Sequence, residues 1–236
     1  KSMGKLFGTD GIRGIVGENL TAELAYRVGQ AVTMVLYEEK GAMPLVTIGM
    51  DTRISSDMLE GAMIAGITSV GGSVMPLGVI PTPAVAYLTV QVKADAGVVI
   101  SASHNPFEHN GIKVFNGQGY KLSDALEERV EAKILSGEPM PIQTREGIGK
   151  RIHGMKNLKY EYIRYLAGTI TDKLSGLRVL VDCANGPGPL RQLRHRGGLH
   201  PPQAQRPEHQ RPLRLHPPGE PGGHGDGGGV RPGHRL

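Results

Sequence analysis

Tryptophan is absent from this sequence, cysteine occurs once, and aromatic residues make up only 4% of it. A single thiol, Cys183, excludes an intramolecular disulfide and any metal site built from clustered cysteines. So few aromatics argue against a platform on which nucleic-acid bases stack. No apolar run approaches the roughly 18 residues of a membrane span, and residues 1–7 lack the apolar stretch of a secretory signal. The expected location is therefore the cytoplasm, with no membrane partner. Against these absences stand 236 residues of which 39% are hydrophobic, enough for one large or two ordinary domains with a buried core.

The formal net charge of +5 suggests an acidic partner until it is divided along the chain. Residues 187–236 hold 8 Arg, no Lys and 3 acidic residues, which leaves 19 basic and 19 acidic side chains in residues 1–186. The body is neutral, and the whole excess belongs to the last fifth. That stretch also carries 10 of the 17 Pro and 6 of the 9 His, and it has no Ile, Phe, Tyr, Met, Ser, Thr or Asn. It cannot bury enough apolar surface to offset the entropy of ordering a chain, so it reads as disordered. A non-catalytic protein that grips nucleic acid or other anions through this tail is the rival to an enzyme, because polycations bind phosphate backbones in a salt-dependent way. Eight arginines without interleaved aromatics imply weak contact, and nucleic acid is not the expected partner.

Ahead of the tail, strands and helices alternate. Thr21 is placed to cap a helix reaching about Tyr37, with Leu24, Val28, Ala31, Val32 and Val35 on one face. Residues 45–50 form a short apolar strand ending at Asp51-Thr52-Arg53, after which Ser55 or Ser56 caps a helix to Val70. A strand comes next over 73–77, then a helix with Thr82 as cap and Pro83 as first residue. Residues 96–100 are an apolar strand, 111–115 a returning one, 124–135 a charged helix after Ser123, and 158–168 a connecting helix. Residues 177–183 are one more apolar strand, and the turn at Ala184-Asn185-Gly186 leads into no helix. This alternation implies an α/β sandwich.

Two loops concentrate chemistry. Ser101-Ala102-Ser103-His104-Asn105-Pro106 sits at the C-terminal end of the 96–100 strand, where α/β sheets usually bind ligands, with Asn110-Gly111-Ile112-Lys113 just beyond. A hydroxyl there is presented to a crevice, and Lys113 can neutralise phosphate or move a proton. Gly8-Thr9-Asp10-Gly11-Ile12-Arg13-Gly14 offers backbone N–H groups and a bidentate Arg13 fork suited to phosphate. Taken singly, an ordinary polar loop and an ordinary Gly-rich turn are the commoner readings. Asp51 and Arg53 read best as a structural ion pair. No His/Asp/Glu spacing in the body makes a complete metal site.

In combination, order and spacing, Lys5-Leu6-Phe7-Gly8-Thr9-Asp10-Gly11-Ile12-Arg13-Gly14, residues 101–106 and residues 110–113 resemble the α-D-phosphohexomutase superfamily, and within it the bacterial phosphoglucosamine mutases. The resemblance runs from Met3 to Gly186. It implies a mixed-sheet sandwich as the first of four domains, and an enzyme interconverting glucosamine-6-phosphate and glucosamine-1-phosphate through a 1,6-bisphosphate. Phosphomannomutase or phosphoglucomutase is the alternative within the class. It further implies Ser103 as the phosphoserine, His104 and Lys113 as catalytic partners in proton transfer and charge holding, and Arg13 and Asn105 as support for phosphate and loop. Mg²⁺ would be bound through the Ser103 phosphate. The family's aspartate loop for that ion, its sugar-recognition loop and its last phosphate-binding domain have no counterpart in the sequence, so stable Mg²⁺ binding and activity of this chain alone are not expected. Its oligomeric state is left open.

Every residue type in the tail can be encoded by a codon beginning with C or G, the bias expected when the third base of a GC-rich gene is read as the first. Composition alone serves a natural Pro/Gly/Arg-rich tail equally well. Taking each codon's last two bases as the start of a hidden codon, residues 213–221 permit C-G-S-T-H-P-E-N-L and residues 230–236 permit Y-D-L-G-I-A-F. Both resemble second-domain segments of the family, in the right order, and favour a frameshift near Pro187. The expected organisation is a first domain over 3–156, a connecting helix and first strand of an incomplete second domain over 157–186, and a non-native tail over 187–236. Limited proteolysis is expected to trim from the C-terminus and stop between residues 155 and 176; protected amides throughout 187–236 would overturn this division.

Overall fold

The computed structural model describes residues 6–153, 158–170, 182 and 185–187. In chain order these comprise β1 (Ile12–Ile15), α1 (Ala22–Lys40), β2 (Leu45–Met50), α2 (Ser56–Ser69), β3 (Ser73–Val79), α3 (Thr82–Gln91), β4 (Ala96–Ile100), β5 (His109–Asn116), α4 (Asp124–Leu135), a 3₁₀ turn at Arg145–Gly147 and α5 (Leu158–Gly168). Apart from Asp182, the strand expected over 177–183 lies outside the described residues, as do the tail beyond Pro187 and the boundary drawn near residue 156.

The strands form one sheet in the order β1-β5-β4-β2-β3. β3, β2 and β4 run parallel, whereas β5 is antiparallel to β4 and β1 antiparallel to β5. β4 is buried along its whole length because both faces of the sheet are covered, which is why it reads as an unbroken apolar run. Alternation along the strands sorts its side chains. Val46, Ile48, Val98, Ile100 and Ile112 join Val28, Val32 and Val35 of α1, Leu59, Met63 and Ile67 of α2, and Val130 and Ile134 of α4 in the larger core. Val99, Leu77 and Ile80 pack instead with Ala84, Val85 and Leu88 of α3 and Tyr162 of α5. Tyr87 of α3 stacks on Tyr165 of α5 with ring centroids 4.3 Å apart, which fastens α5 to this layer. The result is the expected mixed-sheet α/β sandwich.

Thr21 caps α1 as its sequence position suggests, its hydroxyl accepting from the Leu24 N–H at 3.1 Å. The helix passes Tyr37 and ends at Lys40, where Gly41 turns left-handed (φ 70°) and donates back to the Tyr37 carbonyl. Elsewhere capping differs from expectation. Pro81, not Thr82, holds the cap position of α3, and its carbonyl accepts from the Ala84 and Val85 N–H groups without any side-chain bond. Ser55 precedes α2 but makes no capping bond; its backbone is already helical (φ -80°, ψ -10°) instead of extended, and its hydroxyl accepts from the Asn110 side chain. β1 is a strand where the sequence suggested only a Gly-rich turn; four residues of mixed character take extended form because β5 offers them an open edge.

α1 and α2 cross closely at two glycines. A Cβ on Gly66 would stand 2.1 Å from the Tyr26 carbonyl oxygen, and one on Gly29 2.7 Å from that of Met63. Gly61, on the outer side of α2, has nothing within 4 Å. Gly66→Ala is therefore expected to destabilise the fold by about 1–3 kcal/mol, overpacking outweighing the gain of roughly 1 kcal/mol in helix propensity. Gly61→Ala should instead stabilise by about 0.5–1 kcal/mol. Urea unfolding midpoints check both signs, and a lowered midpoint for Gly61→Ala would contradict this account of the helix crossing.

Glu60, on the same helix, has one carboxylate oxygen, Oε1, buried without a hydrogen bond among the described residues. Burial pushes this carboxyl above its ordinary range; the charge of Arg151 opposes the shift and that of Asp57 adds to it. A folded-state value above the unfolded one favours folding in acid, and the benefit is lost as pH rises through the raised value. Glu60→Gln is accordingly expected to raise the thermal midpoint at pH 7, with the difference closing in acid below the ordinary carboxylate range. A difference that persists there would rule out titration as its cause.

Candidate functional site

β2 and β4 end side by side, the Asp51 N–H donating to the Ile100 carbonyl at 3.0 Å. The segments just past these two strand ends build the site. Ser101 is buried, its N–H donates to the Gly111 carbonyl at 2.9 Å, and its hydroxyl donates to Asp51 Oδ2 at 2.7 Å. The same hydroxyl accepts from the Ser103 N–H at 3.1 Å. A three-member chain thus runs from Ser103 through Ser101 to the Asp51 carboxylate. Ser103 itself is exposed and has φ 59°, in the left-handed region that a serine seldom occupies. Strain of this kind costs of order 1–3 kcal/mol and persists only where surrounding bonds hold it. The Ser103 hydroxyl lies 3.4 Å from His104 Nδ1, and the Asn105 N–H closes the turn onto the Ala102 carbonyl at 3.2 Å.

Asp51 and Arg53 form the expected ion pair, at 3.0 Å, with each side chain 12% exposed. Its reach was not legible in the sequence. Arg53 Nη1 donates to the carbonyls of Pro106 (2.7 Å) and His109 (3.0 Å), and Nη2 to those of Ser103 (3.0 Å) and Asn105 (2.9 Å). With Nε on Asp51 Oδ2, all five N–H donors of the guanidinium are engaged. Asp51 Oδ1 in turn accepts from the Arg53 N–H and the Ser56 hydroxyl, both at 3.0 Å.

The cations come from the antiparallel part of the sheet. Arg13 of β1 lies opposite Gly111 of β5, and a Cβ on Gly111 would stand 2.8 Å from the Ser101 carbonyl and 3.1 Å from Arg13 Cγ. Only glycine lets the Arg13 stem lie this close to the end of β4. Arg13 donates to Asp10 Oδ2 at 2.7 Å, and Lys113 lies 3.6 Å from Asp10 Oδ1. Both cations are partly exposed, and Arg13 Nε is buried with no hydrogen bond among the described residues. Gly11, which carries the chain into β1, has φ +86° and would place a Cβ 2.3 Å from the Ile112 carbonyl oxygen.

Ser103, His104 and Asn105 therefore share one loop, while Arg13 and Lys113 share Asp10 on the neighbouring strands. Asn110 plays a different part: it is fully buried, donating to the hydroxyls of Ser55 and Ser56 and accepting from the Gly111 N–H. Sequence reasoning passed over Asp10 as the shared counter-ion, although its spacing of three from Arg13 was visible, and over Ser101 as the link to Asp51. Among the described residues no group of three His, Cys, Asp or Glu side chains could hold a metal ion. Asp51 is committed to Arg53, Ser56 and Ser101, and Asp10 to Arg13 and Lys113, so these carboxylates do not compose a Mg²⁺ site by themselves.

Comparison with known proteins is consistent with this geometry. The chain is 55% identical over 185 residues to a phosphoglucosamine mutase of Ruminiclostridium cellulolyticum and 56% identical over 185 residues to one of Acetivibrio thermocellus. Each alignment covers 78% of this chain and 41% of the relative, so the chain spans well under half the length of the curated relatives it matches. A crystal structure of a phosphoglucomutase/phosphomannomutase family protein from Burkholderia thailandensis shares the fold, with a TM-score of 0.59 at 24% identity over 70% of this chain and 36% of that one. Residues 4–140 match the alpha/beta/alpha domain I of phosphoglucomutase/phosphomannomutase, and the chain belongs to that family.

Proposed function

We propose that this chain is the phosphoserine-bearing part of a phosphoglucosamine mutase, whose full-length form interconverts glucosamine-6-phosphate and glucosamine-1-phosphate in the cytoplasm. The observation that carries the reading is Ser103, held exposed in a left-handed conformation at the C-terminal end of β4. The names of the relatives at 55% and 56% identity supply the sugar.

In this reading phosphorylated Ser103 meets a hexosamine phosphate. A bond forms between a sugar hydroxyl oxygen and phosphorus, the bond from phosphorus to Ser103 Oγ breaks, and the proton leaving the sugar hydroxyl is balanced by one gained at Ser103 Oγ. His104 Nδ1, 3.4 Å from that oxygen, is placed to deliver or remove it. After the 1,6-bisphosphate reorients, the reverse step returns its other phosphoryl group to Ser103. Arg13 and Lys113 neutralise phosphate charge, the guanidinium by a bidentate fork and the ammonium as a point charge, and Asp10 keeps both aligned when phosphate is away. Asn105 acts through its backbone, which closes the turn and hands a carbonyl to Arg53. Phosphoryl transfer depends on such positioning and charge neutralisation more than on covalent assistance. Mg²⁺, when bound, would offset charge on the transferring group. Because the described residues do not compose its site, no step is assigned to it.

Incubation with glucosamine 1,6-bisphosphate is expected to place one phosphoryl group on Ser103, read by intact mass and peptide mapping and absent in Ser103→Ala. Lys113→Ala should slow loading by about 10²-fold, the scale of removing one positioned charge from a phosphoryl or oxyanion site. Phosphorylation at another residue, or none, would overturn the assignment of Ser103. Multiple turnover by this chain alone should be negligible in a coupled assay, because the bisphosphate must be held while it reorients and the described residues supply only the Ser103 loop and its two cations, whereas loading needs a single encounter with the donor. Ordinary turnover abolished by Ser103→Ala would contradict that expectation.

A further inference from the structure

We infer that Arg53 is a positioning residue for phosphoryl transfer, a clamp that holds the loop over residues 103–109 in the one conformation that presents Ser103. The inference rests on the proposed role of Ser103 and goes beyond it by naming what keeps that residue in place.

Three observations carry it. First, the guanidinium spends four of its five N–H donors on main-chain carbonyls of one loop, those of Ser103, Asn105, Pro106 and His109, and the fifth on Asp51. An arginine serving only as partner to Asp51 would need two. Secondly, the clamped loop contains the left-handed Ser103, a conformation that relaxes unless bonds on either side prevent it. Arg53 holds the Ser103 carbonyl, while Asp51, through the Ser101 hydroxyl, holds the Ser103 N–H. Both sides of the strained residue are thus tied to the same ion pair. Thirdly, Arg53 does not contact the Ser103 hydroxyl. Its effect is on where the oxygen sits, which separates it from Arg13 and Lys113.

Lysine cannot replace this arrangement. An ammonium retains the charge beside Asp51 but has three donors on a flexible stem, against five in a planar fork. Arg53→Lys therefore tests the clamp while keeping the ion pair's charges. In the full chain this variant is expected to raise amide exchange rates by at least tenfold at Ser103, Asn105 and His109, the loop residues whose N–H groups are hydrogen-bonded, with Val98–Ile100 and Ile112–Val114 as slow as in the parent. The maximal rate of Ser103 loading by glucosamine 1,6-bisphosphate should fall at least tenfold at an unchanged half-saturating donor concentration, because the phosphate-binding cations are untouched. Unchanged exchange in the loop, or a loosened loop with an unchanged loading rate, would overturn the inference. A parent chain that takes no phosphoryl group on Ser103 would instead overturn the proposed function, and the exchange result would still judge the clamp. If Arg53→Lys does not fold, NMR of the parent decides: a clamped Arg53 gives separate, slowly exchanging Nη proton signals, and averaging of these signals with solvent, as in a surface arginine, would refute the clamp.

Discussion

The site depends on one largely buried ion pair, Asp51 with Arg53, lying just past the end of β2. Taking both charges out of water is costly, and mutual attraction alone seldom offsets it. Here every remaining hydrogen-bonding capacity is used: Arg53 reaches four carbonyls, and Asp51 accepts from the hydroxyls of Ser56 and Ser101. Such a network favours one arrangement strongly, because losing any member leaves a desolvated polar group unpaired. The interaction is consequently better understood as specifying a loop conformation than as adding stability.

Sheet topology makes this possible. β2 and β4 are parallel neighbours, so residues just beyond both strands emerge at the same edge, where the ends of parallel strands leave a crevice. β5 then returns antiparallel from that edge, so that Asn110 and Gly111 begin beside the loop. β1 adds Arg13 across from Gly111. The two segments that carry cations are thus more than 90 residues apart in sequence and joined by one carboxylate, Asp10. Glycine at 111 is required by crowding from the Ser101 and Ile12 carbonyls and Arg13 Cγ, which ties the close packing of the sheet directly to the composition of the site.

The sequence was informative where the governing interactions are local or periodic. α5 was read at its observed bounds, β2 and β4 likewise, and Thr21 as a cap, because apolar spacing and capping chemistry act within a few residues. It was less informative where a local preference met a distant competitor. Ser55 has the chemistry of a cap but gives its oxygen to Asn110, and the stretch at β1 looks like a turn until β5 offers it an edge. The Ser103 loop was identifiable as chemistry from its concentration of hydroxyl, imidazole and amide groups. The ion pair of Asp51 and Arg53 was identifiable as structure, and its hold on that loop was not.

By itself, then, the sequence determined the alternating elements, the α/β class and the family, since each follows from patterns carried by contiguous residues. It also determined which residues could do chemistry: Ser103, His104, Asn105, Arg13 and Lys113 were all nameable from three short motifs. Tertiary structure alone decided how those residues are held. The left-handed backbone at Ser103, the sharing of Asp10 by Arg13 and Lys113, and the four carbonyls gathered by Arg53 all rest on contacts across about 50 to 100 residues of chain. Hydrogen bonds to backbone carbonyls leave no mark in sequence, because every residue supplies the acceptor whatever its side chain.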